Sequence, residues 1–144
     1  TSALAAVQKV LALPDLLVLQ RAVDQVYVDS KLIEYAVQVV TATRRPQDHG
    51  LKELARYLQF GASPRASINL ALTARALAFV RGRDYVLPQD MLDMALDVLR
   101  HRLVLSYEAL SDNVSSDDLL HKILGRLPAP AVPLRERPAA RVHA

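Results

Sequence analysis

Ser63-Pro64-Arg65-Ala66-Ser67-Ile68-Asn69-Leu70-Ala71-Leu72-Thr73-Ala74-Arg75-Ala76-Leu77-Ala78-Phe79-Val80-Arg81-Gly82 carries the longest helical pattern in the chain. Pro64 suits a first turn, where a missing N–H costs nothing, Ser63 stands ready as its cap, and Gly82 supplies the stop. Ile68, Ala71, Leu72, Leu77 and Phe79 recur at helical spacing, while Leu70, Ala74 and Val80 fall on other faces. A helix apolar most of the way round is predicted to be central and buried.

Working outward, the flanks are helical too. Pro14 opens a short helix running through Leu17, Leu19 and Val23 to Val26. Asp29 or Ser30 caps a second, with Ile33, Ala36, Val37 and Val40 on one face; Pro46 and Gly50 end it, and a brief helix follows over 51–56. Pro88 with Asp90 opens a helix striped by Leu92, Ala95, Leu96, Leu99 and Leu103. Ser115 and Asp118 have capping-box spacing ahead of Leu119, Leu120, Ile123 and Leu124, and Gly125 is the expected stop. Leu103, Leu105 and Tyr107 alternate with Val104, Ser106 and Glu108, which is strand-like, but one or two short strands do not make a sheet protein. The expected fold is mostly α: a helical bundle over 14–126 with at most one or two short strands. Residues 127–144 hold four of the eight prolines among Ala and Arg and read as a flexible, disordered C-terminal tail.

Composition narrows the function. A chain of 144 residues with 51% apolar and 23% charged residues has the make-up of one globular domain. Without cysteine there is no disulfide scaffold, thiolate zinc site or cysteine nucleophile. The four glycines, Gly50, Gly61, Gly82 and Gly125, precede Leu51, Ala62, Arg83 and Arg126, so neither a Walker A loop nor a dinucleotide-binding turn can form. His49, His101, His121 and His143 lack metal-ligand spacing, no serine sits in a Gly-x-Ser-x-Gly elbow, and no metal site is expected. No apolar run reaches the roughly 18–20 residues that cross a bilayer, and Thr1-Ser2-Ala3-Leu4 does not open like a signal peptide, so the expected location is cytoplasmic. Of the net charge of +3, the tail from Leu127 carries +2 (Arg135, Arg137 and Arg141 against Glu136), which leaves the body nearly neutral. With that balance and 5% aromatic residues, nucleic-acid binding is not expected.

Arg65 breaks a local rule. The first turn of a helix carries about half a positive charge and ordinarily attracts Asp or Glu, yet here it holds an arginine and no acid. Two readings fit: an anion such as phosphate meets the helix end and the guanidinium together, or Arg65 pairs with a carboxylate from another helix, Glu53 or Glu108. The other basic clusters have simpler explanations. Arg44-Arg45 and Arg100-His101-Arg102 end helices, where cations favour the dipole, and Arg81 and Arg83 beside Gly82 read as a solvated turn.

Gly61-Ala62-Ser63-Pro64-Arg65-Ala66, followed by Leu77-Ala78-Phe79-Val80-Arg81-Gly82-Arg83-Asp84-Tyr85-Val86, resembles the C-terminal lid of MoxR-family AAA+ ATPases. Val98-Leu99-Arg100-His101-Arg102-Leu103 and Leu105-Ser106-Tyr107-Glu108 are similar to the same lid, as are Leu19-Gln20-Arg21-Ala22-Val23 and Val26-Tyr27-Val28. The likeness runs from about Leu13 to Leu127. It implies a helical bundle attached to a larger α/β nucleotide-binding core, and it makes the Gly-Ala-Ser-Pro-Arg run the sensor 2 element. Arg65 then approaches the γ-phosphate of ATP, with Ser63 and Ala66 in the same phosphate region and Mg held by the core. The resemblance further implies a chaperone-like role that couples hydrolysis to lid movement. Its partners would be the chain's own core, neighbouring subunits of a homo-oligomeric ring, and a von Willebrand factor A domain protein.

Two departures matter. Leu87 stands where the family often has a threonine cap, so the Pro88 helix is expected to lack a side-chain cap. Walker A, Walker B, sensor 1 and the arginine finger are not in this sequence, so the chain alone is expected to be inactive, with residues 1–13 as the linker from a missing core. Outside the resemblance, the alternatives are a free-standing adaptor that binds partners through an apolar bundle face, or a helix-turn-helix module reading nucleic acid with Arg65, Asn69 and Arg75.

Overall fold

The computed structural model describes residues 8–131. Six α-helices follow in order: α1 (Leu13–Asp24), α2 (Ser30–Arg44), α3 (Arg65–Val80), α4 (Pro88–Leu99), α5 (Tyr107–Ser111) and α6 (Ser116–Arg126). Two short strands, β1 (Leu58–Phe60) and β2 (Val104–Leu105), pair antiparallel, with Leu58 opposite Leu105 and Phe60 opposite Val104. The mostly α expectation holds. The 51–56 segment is a 3-10 helix, Lys52–Tyr57, and β1 goes unannounced in the sequence because three residues are too few to show a period.

The core lies where α2, α3, α4 and α6 meet. α3 presents Ala66, Leu70, Ala74 and Ala78 at i,i+4 spacing, all fully buried. Three alanines out of four let α4 approach closely with Met91, Ala95, Val98 and Leu99. α3 is therefore buried on one face, not all round: Ile68 and Leu72 are 60% and 48% exposed. α2 is turned from its expected orientation as well. Leu32, Tyr35, Ala36, Val39 and Val40 face inward, while Ile33 and Val37 are exposed. Both sides of α2 are apolar, so hydropathy alone could not choose between them.

α1 differs from the rest. None of its residues is buried, and Leu13, Leu16, Leu17, Val18 and Leu19 are exposed. A helix of 12 residues is marginal on its own in water, and α1 meets the body only lightly, through α3, with Ala22 and Val23 half-buried. At the other end α6 has its expected capping box: Asp118 N–H donates to Ser115 Oγ (3.1 Å) and Ser115 N–H to Asp118 Oδ2 (2.9 Å). It runs through Gly125 to Arg126, so Gly125 is not the stop. Leu127 and Ala129 pack against the core, and Tyr35 Oη donates to the Leu127 carbonyl (3.0 Å). Residues 132–144 of the expected tail and 1–7 of the expected linker lie outside the described residues.

The α3–α4 turn replaces a reading. Arg81 and Arg83 do not flank a solvated turn; they converge on Asp90, which is fully buried. Gly82 turns the chain back at φ +73°, a conformation glycine adopts without strain. Arg81 Nη1 reaches Asp90 Oδ1 at 2.8 Å, and Arg83 donates to both carboxylate oxygens at 2.7 and 2.6 Å. Asp90 also accepts the Leu87 N–H (2.8 Å), so α4 keeps half of a capping box although the Leu87 side chain caps nothing. Burial alone would push the Asp90 carboxyl up; the hydrogen bonds from Arg83, the Leu87 N–H and Arg81 outweigh it and hold the group below its ordinary value.

Asp90→Asn leaves two guanidinium groups around a neutral amide and should cost about 3 kcal/mol in urea unfolding at pH 7, near the low end for a broken buried pair because Arg81 stays partly hydrated. A carboxyl whose folded pKa is depressed contributes stability above its unfolded value of about 4, and that stability is lost as pH falls through the folded value. The difference between the native chain and Asp90→Asn should therefore shrink below about pH 4.

Candidate functional site

The Gly61–Arg65 loop is held by one buried hydroxyl. Thr43, near the end of α2, is 1% exposed; its Oγ1 donates to the Val40 carbonyl (2.6 Å) and accepts the Ala62 N–H (2.9 Å). That second bond ties the loop before α3 to the last turn of α2. The approach is so close that a Cβ on Gly61 would lie 2.3 Å from the Thr43 carbonyl oxygen and 2.7 Å from the Arg44 nitrogen. Only a residue without a side chain fits. Ala62 fills the space beneath the loop and is fully buried.

From this anchor the chain enters α3. Pro64 already has helical dihedrals (φ −56°, ψ −26°), and no side chain caps the helix, so Ser63 does not act as its side-chain cap. The Ser63 carbonyl accepts the Ala66 N–H (2.9 Å), the Pro64 carbonyl accepts the Ser67 N–H (3.2 Å), and the Ser67 hydroxyl donates to the Pro64 carbonyl (2.7 Å). Ser63 is exposed at the mouth of the turn. Ala66 is fully buried, and its N–H is engaged, so it braces the turn from within.

Arg65 is exposed, and the first turn of α3 holds no acid. Among the described residues it pairs with no carboxylate, neither Glu53 nor Glu108, which removes the ion-pair reading. On its outward face follow Ile68 and Leu72. The recognition-helix set fits poorly, because Asn69 and Arg75 are half-buried and these apolar side chains occupy the exposed face. The basic cluster at the end of α4 behaves as a helix terminus: Arg100 meets Asp97 (3.4 Å) and Asp117 (3.1 Å), and Arg102 Nε donates to the Val98 carbonyl (2.8 Å). Among the described residues no helix is long and apolar enough to cross a membrane.

Residues 52–123, from the 3-10 helix through most of α6, match the AAA lid domain family. Over 125 residues the chain is 45% identical to Chaperone MoxR1 of Mycobacterium tuberculosis, covering 87% of this chain and 33% of that protein. The chain belongs to the AAA lid family, on its MoxR branch. The lid is also 38% identical to Protein MoxR of Paracoccus denitrificans over 79 residues, which is 52% of this chain and 23% of that one. A crystal structure of a candidate ATPase from Cytophaga hutchinsonii superposes with a TM-score of 0.79 at 38% identity, over 82% of this chain and 36% of that chain. The match thus spans between about a quarter and a third of the length of these relatives.

Sequence reasoning found the lid motif but missed what holds it. Thr43 carries no signal of its own in Thr41-Ala42-Thr43-Arg44, and only the lone glycine at 61 hinted that two backbones meet. Thr43→Val keeps the shape but leaves the buried Ala62 N–H unpaired, and should cost about 1–3 kcal/mol in denaturant unfolding. Gly61→Ala forces the loop off α2 and should cost at least about 2 kcal/mol, since the clashing atoms are backbone.

Proposed function

We propose that this lid serves an ATP-hydrolysing AAA+ machine and that Arg65 is its sensor 2 arginine, meeting the γ-phosphate of ATP bound with Mg on the core. The observation that carries this is an exposed guanidinium without a carboxylate partner, on the first turn of a 16-residue helix whose approach loop is locked by Thr43 and Gly61. Phosphoryl transfer depends on positioning and on countering charge, and a rigidly placed cation at a helix N-terminus does both. Ser63, exposed beside it, faces the same phosphate region, and Ala66 supports the turn from the core.

The apolar outer surface supports the same reading. Leu13, Leu16 and Leu17 of α1 with Ile68 and Leu72 of α3 are uncovered, and a nucleotide-binding core is the body they would rest on. Closing the lid on that core would bring Arg65 to the nucleotide, and losing the γ-phosphate would release it. In a homo-oligomeric, cytoplasmic ring this swing would pass to neighbouring subunits and to a client, with a von Willebrand factor A domain protein as partner and no role for nucleic acid. A free-standing adaptor would use the same apolar surface, and the coding sequence upstream of Thr1 separates the two. An in-frame Walker A followed by Walker B supports the lid reading; a true start at Thr1 overturns it.

In the complete ATPase, Arg65→Ala should lower turnover about a hundredfold, the scale of losing one charge-stabilising donor. The melting temperature should stay within about 1–2 °C, because an exposed, unpaired side chain adds little to folding. Steady-state ATPase rates and thermal melts on the same pair of proteins test both statements.

A further inference from the structure

Ile68, Leu72 and Arg75 stand at i, i+4 and i+7 on α3 and so share one side of the helix. The two apolar side chains are 60% and 48% exposed. Arg75 is half-buried, and its Nε is the one buried side-chain nitrogen or oxygen among the described residues that has no hydrogen-bond partner. No carboxylate among those residues reaches it, and neither Asp15 nor Asp24 of α1, the helix that meets α3 lightly, does so. Arg21, Arg44, Arg45 and Arg65 also lack a carboxylate there, but all four are exposed, where water takes their N–H groups. Arg75 is different because one donor is shut away from water and meets no acceptor.

A buried N–H left unpaired is costly, and native structures almost always supply its acceptor. The Nη nitrogens of Arg75 are not closed off, so the stem lies along the helix with the tip of the head at the surface. A carboxylate arriving from outside meets that tip, and rotation of the side chain turns Nε outward into the two-point contact that a guanidinium and a carboxylate prefer. Charge complementarity then sets the occupant: apolar, to cover Ile68 and Leu72, and carrying an acid for Arg75. The chain's own ends supply this poorly, since residues 1–7 contain no acid and residues 132–144 only Glu136, between Arg135 and Arg137. We propose that Arg75 is a docking residue, and that the nucleotide-binding core lays an apolar segment bearing an aspartate or glutamate across Ile68 and Leu72, with that carboxylate on the Arg75 guanidinium. This rests on the reading that the lid closes on a core, and it adds what that face of the core carries. Apolar contact tolerates sliding, whereas a displaced charge pair leaves both partners unmet, so Arg75 fixes the register in which lid meets core.

The test uses the complete ATPase polypeptide carrying Arg75→Lys, treated with a carbodiimide, which joins an amine to a carboxylate in direct contact. Mass spectrometry of the peptides should show position 75 linked to an Asp or Glu of the core; arginine does not form this product, so the unsubstituted protein is the blank. A link to Glu136, a link to an acid within residues 8–131, or no link at position 75 overturns the proposal. Arg75→Glu should lower kcat about tenfold, the scale of one lost charge-assisted contact, and changing the cross-linked acid to arginine in the same polypeptide should restore most of it. Failure of that exchange to restore turnover overturns the pairing, and should Arg75→Glu not fold, the cross-link decides alone. Arg65→Ala reports on the sensor 2 reading separately: lower turnover there with no link at position 75 upholds sensor 2 and removes this docking contact. A link to the core with unchanged turnover in Arg65→Ala does the reverse.

Discussion

The donor–acceptor bridge at Thr43 is the contact on which the start of α3 depends. A single hydroxyl gives its proton to the Val40 carbonyl and takes one from the Ala62 N–H, so the last turn of α2 and the loop before α3 become one rigid corner. Buried polar groups are costly unless paired, which makes this geometry nearly all-or-none. Gly61 is a consequence of the same corner, since the backbones approach too closely for any side chain. With the corner set, the direction of α3 follows, and with it the places of Ser63 and Arg65.

A second polar anchor sets the far end of the same helix. Asp90 is buried among two arginines and the Leu87 N–H, and it closes the α3–α4 hairpin while starting α4. Between the two anchors α3 packs through alanines, which bring α4 close and leave little room for side-chain rearrangement. Such a body resists internal rearrangement between its two anchors.

The outer surface is less complete than the interior. α1 has no fully buried residue, and Ile68 and Leu72 open outward on the face of α3 that carries Arg65. An exposed apolar face of this kind is the sort of surface that marks an interaction site.

The sequence by itself determined the class of fold and the identity of its motif. Helical periods, Pro64 and Pro88 at first turns, and the Ser115–Asp118 box are local signals, and local signals survive without knowledge of the fold. The absence of an acid beside Arg65 was equally legible, because the helix dipole is a local property. Only the tertiary structure decided which apolar face of α2 turns inward, since Ile33 and Val37 compete on equal terms with Leu32 and Val39. Only it could pair Asp90 with Arg81 and Arg83, or leave Arg44, Arg45 and Arg65 without a carboxylate partner among the described residues, because pairing depends on what other segments bring near. The bond from Ala62 to Thr43 joins residues 19 positions apart, and no local pattern encodes a contact of that kind.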